Sequence, residues 1–209
     1  MSLGWLGKLL VIPILLIGLL ITIKSLDYYA PDFTSGFLSD KENVFRGAYK
    51  IAFYFHIIFT PIILLVGTTQ VFFNLNKRGG KLHQNLGKIY VFLILFVCAP
   101  SGVVMSFYAF GGFTSILSFL ILSLLLFVFT YNGFKAIISG NIARHRKNII
   151  RSYLLILSAI LLRIFSFISV HYFNWDGENM YTFIAWASWL PSLVIYEIWY
   201  YKSLQLKHH

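Results

Sequence analysis

Between Lys88 and Lys135 the chain carries no Asp, Glu, Lys, Arg or His. As a single α-helix this stretch would be about 70 Å long, more than twice the ~30 Å of hydrocarbon in a bilayer. Apolar runs of about 18 residues or more read as membrane-spanning helices, so it suits two spans. The natural joint is "GGFTS", Gly111 to Ser115, where paired glycines turn the chain.

The remaining charges punctuate the other spans. Lys8 and Lys24 bracket the first, and Lys50 and Lys77 the second, roughly Ala48 to Asn74. A fifth runs from about Ile149 to His171 and a sixth from about Met180 to Tyr201. The expected fold is all-α: a polytopic membrane bundle of about six transmembrane helices. Residues 1–47 read as an N-terminal anchor helix and outer loop, 48–201 as a five-helix membrane core, and 202–209 as a basic tail. Only 11% of residues are charged, against about 25% in soluble domains, as expected if nearly all the length is span. Lys8 followed by an apolar run is also how a signal peptide begins. No A-x-A site follows, and Ala30 precedes Pro31, so the first span reads as an uncleaved anchor.

The net charge of +10 is a topology signal rather than a nucleic-acid footprint. The segments Asn76–Lys88 and Gly140–Arg151 are basic and contain no acid, and the tail "YKSLQLKHH" is basic too. Asp27, Asp32, Asp40, Glu42, Asp176 and Glu178, six of the seven acids, fall in the two other polar segments. Six crossings put the two groups on opposite sides, so both termini and both basic loops are expected in the cytoplasm, in a cell's inner (cytoplasmic) membrane. Tyr28, Tyr29, Tyr172 and Trp175 at one level and Trp199, Tyr200 and Tyr201 at the other form an aromatic belt. Cys98 is the only cysteine, which excludes a disulfide within the chain and an all-cysteine metal site.

Helical rise converts position into depth. With Ile149 as an inner end, Arg163 lies about 21 Å up and His171 about 33 Å up; counting from Asn74, His56 lies about 27 Å up. Glu197 lies about 6 Å from the inner end of its helix, in reach of Arg146, Lys147 or Arg151 and out of reach of Arg163. His83 and His145 sit at or below the inner surface, each at the mouth of a helix. An arginine near the middle of a span costs about 2.5–3.5 kcal/mol to insert, so Arg163 is expected to face the bundle interior or water, in a layer shared with His56.

These residues also carry a resemblance. His56 with "LLVGTTQVF" behind it, "LHQNLGKIYV" around His83, Gly111-Gly112, "HRKNIIRSY" from His145, "LLRI" around Arg163 and "AWASWLPSLVIYE" ending at Glu197 follow one another in order. In these motifs the chain resembles the bacterial membrane family catalogued as domain of unknown function (DUF) 2306, from about His56 to Glu197. The resemblance implies a fold and a residue set, and no activity. Gln84 and Asn85 stand where that family has a basic residue and Trp, and Asn148 and Ile149 where it has an aromatic residue and Met.

Two functional readings follow. In the first, two pairs of histidines at two depths, His56 with His171 and His83 with His145, hold a b-type haem or serve quinone-linked electron transfer. Arg151 and Arg163 would then pair with propionates, and haem iron would be the only metal. The His83-x-x-x-Gly87 spacing is similar to that in two-haem b-type cytochromes. In the second, a transporter or sensor without a cofactor binds a small anionic ligand through Arg163 and moves protons through His56. Arg146 and Glu197 are candidates for a ligand contact or a structural ion pair. The bilayer is the expected partner in both readings. A structural subunit of a larger membrane complex is the third, blander possibility.

Overall fold

The computed structural model describes residues 5–34, 36–39, 41–73 and 80–205, with side chains from residue 11 onward. Residues 74–79 and 206–209, which hold part of one basic loop and the end of the basic tail, lie outside the described residues. Every regular element among the described residues is helical. Five helical runs are long and apolar enough to cross a membrane: Val11–Tyr29, Gly47–Phe72, Lys81–Ser106, Gly112–Ile138 and Ile142–Phe173. The chain is thus a multi-pass, all-α membrane protein. It divides into two compact units, Met1–Tyr108 and Ala109–His209.

The first unit holds α1 (Trp5–Ser25), α2 (Gly47–Phe72), α3 (Lys81–Leu93) and α4 (Ala99–Ser106). A π-helical turn, Ile94–Cys98, joins α3 to α4. It sits just before Pro100, which has no N–H to continue the ladder. Local hydroxyls restore polar contacts there: Ser101 Oγ donates to the Cys98 carbonyl at 3.0 Å. The connection from α1 to α2 is folded down by aromatic packing. Leu38, Tyr49 and Phe53 are buried, with Tyr28, Phe33, Phe45 and Tyr54 packed around them. Tyr28 meets Phe53 edge-on at 5.4 Å, and Phe45 does so at 5.3 Å.

The second unit holds α5 (Gly112–Ile138), α6 (Ile142–Phe173), α7 (Gly177–Ala187) and α8 (Leu190–Gln205). Gly111 precedes α5 with φ +87°, a left-handed conformation that a side chain disfavours. A Cβ there would also stand 2.6 Å from Ser115 Oγ and 2.8 Å from Thr182 Oγ1. The α5–α6 hairpin is tied internally where the Ser152 and Thr130 hydroxyls share a hydrogen bond at 2.7 Å, with the Leu126 carbonyl 2.7 Å from Thr130 Oγ1. Both hydroxyls are fully buried.

Two boundaries differ from expectation. The fifth span begins seven residues earlier than Ile149: Asn141 caps α6, its side chain accepting from the Arg144 backbone N–H at 2.9 Å. The basic stretch expected as a loop is therefore the first two turns of a helix. At 32 residues α6 is about 48 Å long, more than the hydrocarbon needs, so its charged end can stand in the interface while the rest spans.

The segment expected as a sixth span is broken into two helices. The chain turns at Ser188–Trp189, and neither α7, with 11 residues, nor α8, with 16, crosses by itself. Pro191 cannot donate back to Ala187, and Trp189 N bonds to the Trp186 carbonyl instead of that of Ala185. The Ala185 carbonyl takes Ser118 Oγ at 2.9 Å and Ser188 Oγ at 3.1 Å instead. A helix can be interrupted in an apolar environment only when such partners are at hand. Trp189, almost fully buried, locks the joint by donating its Nε1–H to Ser118 Oγ at 3.0 Å.

Candidate functional site

Moving the start of α6 to Ile142 changes what the basic segment can do. Arg144, Lys147, Asn148 and Arg151 stand at i, i+3, i+4 and i+7, so they share one face of the helix. That face lines a cleft of about 480 Å³ in the second unit. Phe129 and Asn132 of α5, Asn141 before α6, and Tyr200 of α8 complete the wall. Three cations and three amides thus converge at the end of the unit where α5 ends, α6 begins and α8 ends.

Each cation is held differently. Arg151 is clamped: Nε donates to Glu197 Oε1 and Nη2 to Glu197 Oε2, both at 2.5 Å. Its Nη1 donates to Asn148 Oδ1 at 3.4 Å, and its guanidinium lies 5.1 Å from the centre of the Phe129 ring. Lys147 rests its ammonium 4.3 Å from the centre of the Tyr200 ring. Arg144 is exposed. Asn148, one of the two residues standing before the "IRSY" motif, is 5% exposed and bonds through Nδ2 to the Arg144 carbonyl at 2.9 Å. Of the three cations expected within reach of Glu197, the ion pair forms with Arg151; Arg146 is exposed.

A guanidinium has five N–H donors. Glu197 takes two and Asn148 one, which leaves two for a group inside the cleft. Glu197 itself is absent from the cleft wall, so Arg151 stands between a resident carboxylate on one side and the cleft on the other. Such a wall suits a compact anion with several acceptor oxygens, a phosphate or a carboxylate.

The four histidines singled out as candidate ligands fall two in each unit. His145 is in the first turns of α6, and its Nδ1 bonds to the Gly133 carbonyl at 2.9 Å. A carbonyl only accepts, so Nδ1 carries the proton, and in the neutral ring Nε2 is the acceptor nitrogen. His171 near the end of the same helix does the same with the Phe167 carbonyl at 3.0 Å, stacked on the Phe167 ring. His83 lies in the first turn of α3, where Gln70 Nε2 donates to its backbone carbonyl at 2.7 Å. His83 and His145 are thus helical residues, whereas depth alone put them at or below the surface.

His56 is half-buried in α2, with Nδ1 3.2 Å from Ser101 Oγ. Ser101 Oγ also lies 3.0 Å from the Cys98 carbonyl, so the direction of its bond to His56 follows the imidazole tautomer. Of the two settings expected for Arg163, interior or water, it does not take the interior of the second unit. It is exposed, and its Nη1 donates at 2.8 Å to the Ala159 carbonyl one turn back. A long guanidinium side chain on a helix reaches its own preceding turn readily, because side chains lean toward the helix N-terminus.

Sequence reasoning missed Arg144, Asn132 and Asn141 as lining residues. The signal was present in the Asn before "IARHRKNIIR", an N-cap, and in the 144/147/148/151 spacing that a helix starting there creates. A model of the family described as predicted membrane protein (DUF2306) matches residues 53–200, a range that contains the whole cleft. No curated protein and no solved structure matches the chain.

Proposed function

Since the chain belongs to the DUF2306 family of predicted membrane proteins, we propose its function from the cleft: it binds a small anion at the basic end of its second unit. This is the binding step of a cofactor-free transporter or sensor, moved from Arg163 to Arg144, Lys147 and Arg151. The observation that carries it is one helical face presenting these three cations, with Asn148 among them, to one cleft of ligand size. The Lys/Arg asymmetry of the sequence turns this end toward the cytoplasm, where anionic lipid headgroups and soluble anions both offer the chemistry.

The test is binding to the purified protein in nanodiscs of neutral phosphatidylcholine. Inorganic phosphate is titrated in one arm, and phosphatidylglycerol replaces part of the lipid in the other. The double variant Arg144→Ala/Lys147→Ala should lose at least tenfold in affinity in whichever arm binds. Equal binding by the double variant and the wild type in both arms overturns the proposal, and so does no binding by either.

A second reading, a b-type haem with quinone-linked electron transfer, draws on His145. Its Nδ1–H bond to a backbone carbonyl is the arrangement that orients a ligating imidazole. A Soret band that shifts with dithionite and is lost in His145→Ala supports it. A colourless, monodisperse preparation from haem-replete cells refutes it.

A further inference from the structure

Arg151 is shared between Glu197 and the cleft, and the two partners of that ion pair are unequally placed. The Arg151 side chain is 16% exposed and is fixed by Phe129 and Asn148 as well as by Glu197. The Glu197 side chain is 39% exposed. Of the two, the carboxylate is the one with solvent to move into.

We infer that Glu197 is a built-in competing anion that sets the affinity of the cleft, holding Arg151 until a phosphate-type ligand takes part of that charge. The inference rests on the cleft being an anion site. With Glu197 in place the three cations present a net +2 to the cleft; without its charge they present +3. The carboxylate occupies both donors on the Nε/Nη2 edge of the guanidinium, one of the edges that give planar, two-point recognition of phosphate or carboxylate oxygens. A ligand that meets the wild-type protein therefore finds that edge of Arg151 taken and feels a like charge directly behind it.

The alternative role for Glu197 is that of a positioning residue, which keeps Arg151 aimed and so helps the ligand. The two roles predict opposite signs. A unit charge about 7 Å from a bound anion, at the effective dielectric of a protein surface, changes binding by roughly an order of magnitude or more. Glu197→Gln keeps the shape and one hydrogen-bond acceptor while removing the charge.

The experiment uses the full chain in the same nanodiscs, with inorganic phosphate and phosphatidylglycerol as the probes. The variants are Glu197→Gln, Glu197→Asp, and Arg144→Ala/Lys147→Ala, each checked for a monodisperse elution profile. Glu197→Gln should bind about tenfold tighter than the wild type. Glu197→Asp, whose carboxylate is one methylene shorter and cannot keep the two-point fork, should fall between them. Unchanged or weaker binding by Glu197→Gln overturns the inference while leaving the cleft intact, provided the double variant still loses affinity. Should Glu197→Gln fail to fold, Glu197→Asp decides alone, since a positioning role requires it to bind more weakly than the wild type. No binding in any variant or in the wild type removes the anion site itself and this inference with it.

Discussion

Replacing Glu197 by Gln takes the charge from a carboxylate that holds two donors of one guanidinium. Ion pairs exposed at both ends contribute about 0.2–1 kcal/mol, whereas breaking a fully buried pair costs about 3–5 kcal/mol. Here Arg151 is mostly buried and Glu197 is not. Cavity-side water can reach the donors that Glu197 releases, so the cost falls between these limits, at about 2 kcal/mol. Arg151→Gln alone should cost a similar amount, because Glu197 then stands without its counter-charge. In the Glu197→Gln background the Arg151→Gln change should cost about 1.5 kcal/mol less than in the wild type, which is the coupling of the pair. Unfolding by SDS titration in mild detergent, followed by tryptophan fluorescence, measures all four corners of the cycle. Additivity within about 0.5 kcal/mol would mean the pair does not interact, and the account of the clamp would be wrong. Together with tighter anion binding by the same variant, a loss of stability would show that Glu197 stabilises the fold at the expense of anion affinity.

Three further outcomes are expected. Ser118→Ala should destabilise the second unit by about 1 kcal/mol in the same SDS assay, since hydrogen bonds between membrane helices are worth roughly 0.6–2 kcal/mol, while Trp189→Phe in the Ser118→Ala background should add less than it does alone. Gly111→Ala should cost about 2 kcal/mol or more, because it adds left-handed strain to a clash with Ser115 and Thr182; a neutral result would contradict the turn geometry. With buried Cys98 as the only native thiol, cysteines at Thr34 and Ser139 should react with an impermeant maleimide from opposite faces of the membrane, and reaction of both from one face would overturn the expected crossing pattern.

The existence of the spans was legible because charge is so expensive in hydrocarbon that its absence marks each crossing. Their ends were less so, for the same reason: a cluster of charges looked like a loop when it was the interfacial start of a helix. The "RHRKN" run satisfies no apolar period, yet Asn141 offers a cap and α6 starts there, longer than the hydrocarbon requires. The Arg151–Glu197 pair was legible as one of three options, because rise along two helices limits which charges can meet. The face of α6 that each charge takes was not. Hydropathy carries no azimuth for a helix that is apolar on all sides, and the insertion cost of Arg163 leaves interior and water both open, whereas its own backbone offers an acceptor one turn away. The joint in the sixth span was hidden for a different reason. Pro191 hints at it, but the hydroxyl of Ser118, 71 residues before Trp189, makes it tolerable.

That joint has a mechanical consequence. Its carbonyls are also served by serine hydroxyls and its proline has no hydrogen bond to lose, so fewer backbone rungs than in an unbroken helix resist a lean of α8, and the seat of Trp189 on Ser118 carries much of that resistance. The piece beyond it is a lever arm about 24 Å long. A lean of about 10° would carry its far end roughly 4 Å sideways and Glu197, about halfway along, roughly 2 Å. The second displacement is enough to convert a two-point grip on Arg151 into none, so the stiffness of one tryptophan's seat governs how firmly a carboxylate two helical turns away is held.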